Sequence, residues 1–125
     1  RFPVVDEAVG VHTYADAVPP EKYKESHPEY FALVGGQRIT DGVSQYCISN
    51  PAVRELIFRH MVDTIDRGYQ GVGLGQPDGF RACQCDGCQA LYGTGGDWSE
   101  KLWLFHRDLA ERVGKERPGK KVTIL

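Results

Sequence analysis

Three of the four cysteines lie within six residues, at Cys83, Cys85 and Cys88, on a segment that also holds Gly87. Thiolates two and five residues apart on a turn can converge on one soft cation. Zinc takes four ligands in a tetrahedron, and Cys47, which comes just before a predicted helix, can supply the fourth thiolate. Because four thiolates leave no open position on the metal, the predicted zinc site is structural rather than catalytic.

The same four cysteines allow two other interpretations. Cys47 and one cysteine of the loop can form a disulfide, with a second bridge inside the loop. Cysteines separated by one residue close a strained ring, so the spacing favours a metal. Unpaired thiols are the third interpretation, which the density of cysteines speaks against. The compartment stays open: disulfides would indicate a secreted or periplasmic protein, whereas thiolate zinc is compatible with the cytoplasm.

An imidazole and a carboxylate follow two predicted strands. His12 lies near the end of the first strand, and Asp78 comes two residues after the second. Catalytic residues of α/β barrels come from the ends of different strands, and a carboxyl in a partly dry cleft can transfer a proton to a glycosidic oxygen. We therefore predict Asp78 as the catalytic residue and His12 as a substrate contact. The alternative for Asp78 is an ordinary turn at Pro77-Asp78-Gly79.

Three further side chains are predicted to bind substrate. Tyr14 and Phe80 lie on loops and can stack on a sugar ring. Arg38 can bind a sugar acid, with a solvated surface position as the alternative. Trp98 and Trp103 fit helical spacing, so we predict that both are structural.

Helices and strands alternate along the chain. Asn50 and Pro51 are typical of a helix start, and Gly68 of the end of that helix. A second helix is predicted to begin at Asp97 and to stop before Pro118. Predicted strands precede, separate and follow these helices, at residues 4–13, 69–76 and 121–125.

This alternation predicts an α/β fold with a parallel sheet. With the strands in sequential order, both helices cover one face, and the other face stays bare unless the sheet closes into a barrel. We predict a strand-helix-strand-helix-strand segment of a (β/α)8 barrel of the TIM type, with residues 1–125 as one piece of a larger domain. A small doubly wound sheet is the alternative.

Two connections, residues 14–49 and 77–96, are much longer than the ~2–6 residues usual between such elements. Both follow strands, so we expect both at the carboxyl end of the sheet, where α/β folds build their active sites. The first is predicted to contain a hairpin with its turn at Gly35-Gly36.

Composition limits the classes of partner. The 125 residues are 41% hydrophobic and 26% charged, which is typical of a globular domain. The net charge of -2 gives no basic excess for nucleic acid, and no apolar run approaches the ~20 residues of a membrane span.

A series of motifs runs through almost the whole chain. It consists of His12-Thr13-Tyr14, Pro20-Glu21-Lys22-Tyr23, His27-Pro28-Glu29-Tyr30, Gly36-Gln37-Arg38, Gln45-Tyr46-Cys47, Asn50-Pro51, Pro77-Asp78-Gly79 and the Cys83, Cys85, Cys88 cluster. This series resembles the bacterial domain of unknown function 4838 family.

The resemblance implies a glycoside-hydrolase-like barrel, distantly similar to alpha-glucuronidases, with a carbohydrate ligand. It also implies a second catalytic carboxylate on a later strand, so that the 125 residues alone would be inactive. A non-catalytic carbohydrate-binding or structural barrel is the alternative, and a zinc-containing interaction module is a third hypothesis. These expectations rest on fold analogy.

Overall fold

The computed structural model describes residues 7–8, 14, 17–40, 45–68, 71–74, 82–93 and 98–124. The elements are β1 (Glu7–Ala8), α1 (Pro20–Tyr23), β2 (Leu33–Val34), β3 (Gln37–Arg38), α2 (Pro51–Asp66), β4 (Gly71–Leu74), α3 (Asp86–Ala90), α4 (Trp98–Glu116) and β5 (Lys121–Ile124). Short 3-10 turns cover Pro28–Tyr30 and Leu91–Gly93.

The main sheet is parallel, with the strand order β1-β4-β5. Its register pairs Gly71 with both Glu7 and Lys121. The long helices α2 and α4 pack against each other, α2 also packs on β4, and α4 packs on β5. The two helices therefore cover the same face of the sheet. This arrangement confirms the α/β class and the sequential order of parallel strands.

Helix α2 begins where the sequence predicts. The Asn50 side chain accepts a hydrogen bond from the amide of Ala52 at 2.9 Å, and Pro51 occupies the first helical position. Gly68 follows the helix with a φ of 111°, a conformation that favours glycine. The buried stripe of α2 consists of Val53, Ile57, Phe58, Met61, Thr64 and Ile65.

Helix α4 buries Leu102, Phe105, Leu109 and Val113, which recur at the helical spacing of one face. Its predicted first capping residue, Asp97, lies outside the described residues. Trp98 is half-buried against the core, as expected of a structural residue. The same prediction is wrong for Trp103, which is 54% exposed. Trp103 is two residues from Phe105, and two helical steps of ~100° carry it to the opposite face.

The predicted hairpin is confirmed between β2 and β3, which pair in antiparallel fashion with Leu33 opposite Arg38. Gly35 and Gly36 connect the strands with φ values of 61° and 79°. A two-residue turn with both φ values positive matches the twist of a hairpin and requires residues that tolerate that conformation. A bridge between Phe31 and Tyr46 joins this hairpin to the segment that precedes α2.

Among the described residues, no helix has the length and apolar character needed to cross a membrane.

Candidate metal centre

The four cysteine sulfurs form one cluster, in which all Sγ atoms lie within 4.8 Å of one another. Cys47 Sγ is 3.6 Å from both Cys85 Sγ and Cys88 Sγ. A disulfide needs sulfurs ~2.05 Å apart, and all four cysteines are free. Metal–sulfur bonds of ~2.3 Å at tetrahedral angles place neighbouring sulfurs ~3.8 Å apart. The observed spacing therefore fits four ligands of one ion and not two disulfides.

Cys47 is positioned by the main chain at the end of the first long connection. Its amide donates to the carbonyl of Tyr30 at 2.9 Å, and its carbonyl accepts from the amide of Asn50 at 3.2 Å. Cys47 is 4% exposed. The thiol is thus held between the β2–β3 hairpin and the start of α2.

Cys83 is attached to the same hairpin. The amide of Leu33 donates to Cys83 Sγ at 3.3 Å, and the amide of Gln84 donates to the carbonyl of Leu33 at 2.6 Å. The Gln84 side-chain oxygen accepts from the amide of Gly35 at 2.9 Å. These contacts join the second long connection to the first without any ion.

Cys85 and Cys88 come from the first turn of α3. Cys85 is the N-cap, and its sulfur accepts from the amide of Cys88 at 3.3 Å. This geometry is that of a helix cap with sulfur in place of oxygen, and it places both thiols on the same side of α3. Cys88 is fully buried, whereas Cys85 is partly exposed.

A hydroxyl lies against the cluster. Ser49 Oγ is 3.2 Å from Cys88 Sγ, 3.5 Å from Cys47 Sγ and 3.7 Å from Cys85 Sγ. Gly87 packs on the same hydroxyl, since a Cβ atom there would lie 2.8 Å from Ser49 Oγ. Only a glycine fits at this contact without a shift of Ser49.

A buried ammonium holds the end of α3. Lys101 on α4 has no exposed surface, and its Nζ donates to the carbonyl of Cys88 at 2.6 Å and to that of Gln89 at 3.0 Å. The same Nζ lies 4.7 Å from the centre of the Trp98 ring. Lys101 therefore adds a donor to two carbonyls at the end of a short helix, of which that of Cys88 also accepts from the amide of Leu91.

The thiols share their protons unequally. Hydrogen bonds from Cys83 and Cys88 lower the pKa of the Cys47 thiol far below its ordinary value. The same contact with Cys47 raises the pKa of Cys83 to about 11 and raises the pKa of Cys88 further.

Two of the predicted substrate contacts, Arg38 and Tyr14, lie among the described residues. Arg38 Nη1 donates to the carbonyl of Phe31 at 2.9 Å. Tyr14 is 1% exposed, and its hydroxyl lies 2.6 Å from Nε2 of His106. Burial of both side chains raises the pKa of Tyr14 and lowers the pKa of His106 to about 4. His12, Asp78 and Phe80 lie outside the described residues, so their roles stay predictions, as do those of Tyr14 and Arg38.

Sequence reasoning missed Ser49, Lys101 and Gly87 as parts of this site. The sequence signal for Ser49 is its position two residues after Cys47, and the signal for Gly87 is its position between Cys85 and Cys88. Lys101 lies four residues before Phe105, so helical spacing places it on the inner face of α4, but a lysine is ordinarily expected to extend its ammonium to solvent.

Residues 3–125 match the family described as Domain of unknown function (DUF4838), and the chain belongs to this family. The match covers nearly the whole sequence and confirms that part of the resemblance. Comparison with curated proteins gave no match. Comparison with solved structures gave none either.

Proposed function

We propose that Cys47, Cys83, Cys85 and Cys88 bind one structural zinc ion that ties together the two long connections of a barrel segment. The observation that carries this proposal is the convergence of four sulfurs within 4.8 Å from two separate parts of the chain. Four thiolates are a donor set that zinc prefers, and a closed set of this kind stabilises a fold rather than catalysing a reaction.

Three features around the four cysteines support a site that is already arranged for metal binding. Main-chain amides already donate to Cys83 and Cys85, as expected for sulfurs that carry negative charge. Burial of Cys47, Cys83 and Cys88 excludes water that would compete for the ion. A bound cation would replace the thiol protons, because cysteine binds a metal as the thiolate.

Part of the proposal concerns carbohydrate. We infer that residues 1–125 are a piece of a (β/α)8 barrel that binds or cleaves sugars, in which Asp78 acts as a proton-transferring carboxyl. Three parallel strands in sequential order, with α2 and α4 on one face, are the arrangement that such a barrel repeats. His12, Tyr14, Arg38 and Phe80 are the proposed substrate contacts.

The metal part is tested by the response of the loop to zinc removal. The full chain with zinc should resist limited proteolysis between residues 82 and 93, and a strong chelator should make that segment susceptible. Restored zinc should restore resistance. A segment that is cut equally fast with and without the chelator would contradict a zinc tie between the two connections.

The carbohydrate part is tested in the full-length protein by calorimetry with neutral and acidic oligosaccharides. The Asp78→Asn variant should lose turnover and keep binding, because the amide keeps the shape of the carboxyl but cannot transfer a proton. Binding without turnover in the unaltered protein would instead favour a non-catalytic carbohydrate-binding barrel. The absence of any oligosaccharide binding would contradict the carbohydrate assignment and leave the zinc site standing.

A further inference from the structure

The Ser49 hydroxyl faces three of the four thiols. The distances from its Oγ atom are 3.2 Å to Cys88, 3.5 Å to Cys47 and 3.7 Å to Cys85. In the structure Cys88 Sγ donates to this oxygen at 3.2 Å. A thiolate bound to a metal can only accept, so metal binding would reverse that hydrogen bond and make Ser49 the donor.

Charge explains why such a donor matters. A divalent ion with four thiolates carries a net charge of about −2, and a buried uncompensated charge is costly. The amide of Leu33 already donates to Cys83, and the amide of Cys88 donates to Cys85. The Ser49 hydroxyl is placed at the two remaining sulfurs, those of Cys47 and Cys88, which are both buried.

The position of the hydroxyl is fixed from the other side by α3. The Cα atom of Gly87 approaches Ser49 so closely that a Cβ atom would lie 2.8 Å from Oγ and 3.4 Å from the Ser49 Cβ. Ser49 lies immediately before the capping residue Asn50, so its backbone is anchored by the start of α2. The hydroxyl is therefore held between two helix starts, against the sulfurs.

We propose that Ser49 is a positioning residue of the metal centre, whose hydroxyl donates its single hydrogen to the thiolate of Cys88, with the Cys47 sulfur as a second and more distant acceptor, and that Gly87 makes room for it. The inference rests on the proposed metal site. On this proposal, the Ser49 hydroxyl raises the affinity of the site for the metal ion and lowers the reactivity of the bound thiolates. Donors to metal-bound ligands change metal affinity by ~10–100-fold when they are removed.

The test compares the full chain with its Ser49→Ala variant, using zinc and cobalt(II) as probes and the exposed Ser26→Ala variant as the matched control. Ser49→Ala should weaken zinc binding by ~10-fold or more in competition with a chelator. It should also shift the sulfur-to-cobalt charge-transfer bands, because the sulfurs lose a hydrogen bond. A purely structural role for Ser49 would leave those bands unchanged.

Gly87→Ala supplies a second, independent variant. Its added methyl group should displace the hydroxyl and shift the cobalt bands, and the Ser49→Ala/Gly87→Ala double variant should bind zinc more tightly than Gly87→Ala alone. Unchanged affinity and bands in Ser49→Ala would overturn this inference and leave the zinc site intact. Absence of metal binding by the unaltered chain would overturn both the inference and the proposed metal function.

Discussion

The ammonium of Lys101 lies 2.6 Å from the carbonyl oxygen of Cys88, one of the four clustered cysteines. This contact links α4 directly to the segment that carries three of the thiols. The same Nζ donates to the carbonyl of Gln89 at 3.0 Å. The cysteine cluster and α4 are therefore coupled by hydrogen bonds through the main chain of α3.

Lys101→Met should destabilise the fold and weaken metal binding together. The variant removes this donor from the carbonyls of Cys88 and Gln89. Because the Cys88 carbonyl keeps the amide of Leu91 and the contact to Gln89 is only part-buried, the expected cost is about 1–2 kcal/mol. Denaturant unfolding and chelator competition measure the two effects. Lys101→Arg, which keeps the charge, should recover part of the zinc affinity, whereas equal zinc affinity in all three proteins would contradict the coupling.

Cys83→Ser should lower stability only when zinc is present. Loss of one ligand opens the site, and loss of a structural metal is among the changes that cost about 4 kcal/mol or more. Thermal unfolding should show that the variant matches the chelator-treated parent chain. A variant that unfolds at the temperature of the zinc-loaded parent would show that Cys83 is not a ligand.

The Tyr14–His106 pair should make stability depend on pH. Burial lowers the pKa of His106 to about 4, from an ordinary value near 6.5. Between these pH values the imidazole is protonated in the unfolded chain and neutral in the folded chain. The free energy of unfolding is therefore highest above pH ~6.5, and it falls by about 3 kcal/mol as the pH is lowered towards 4.

Denaturant unfolding at several pH values measures this slope. The Tyr14→Phe/His106→Leu double variant should remove the His106 contribution between pH 4 and 6.5, because neither replacement titrates. Tyr14→Phe alone should cost about 1 kcal/mol, since it breaks the hydrogen bond and leaves Nε2 buried. The same slope in the parent and the double variant would contradict a buried neutral His106.

Tyr92→Phe should destabilise the end of the cysteine loop without removing the metal. The Tyr92 hydroxyl donates to Asp108 on α4 and accepts from Arg54 on α2. Their loss should cost about 1 kcal/mol in chemical unfolding, because the partners are only partly buried. Zinc content should stay that of the parent, and a loss of zinc would show that the loop depends on this network.

Much of this fold could be predicted from local signals. The Asn50 cap, the apolar stripe of α2 and the Gly35-Gly36 turn each depend on neighbouring residues, so the sequence alone identifies them. The cysteine spacing likewise indicated a shared ligand set. The prediction for Trp103 is wrong because its spacing from Phe105, two residues, places it on the opposite face of α4.

The remaining features arise from contacts that are distant in sequence. Lys101 meets Cys88 across 13 residues, and Tyr14 meets His106 across 92. Neither pair has a local pattern, because each is created when α4 packs against the layer formed by α2 and the two long connections. The burial of Tyr14, predicted from its loop position to be available to substrate, is a consequence of the same packing.

Metal content per chain, measured together with a titration of reactive thiols under denaturing conditions without reductant, tests the central claim most directly. The account predicts about one zinc per chain and four reactive thiols once the zinc is chelated. No metal and no reactive thiols would contradict it, since that result would mean two disulfides in place of a metal centre.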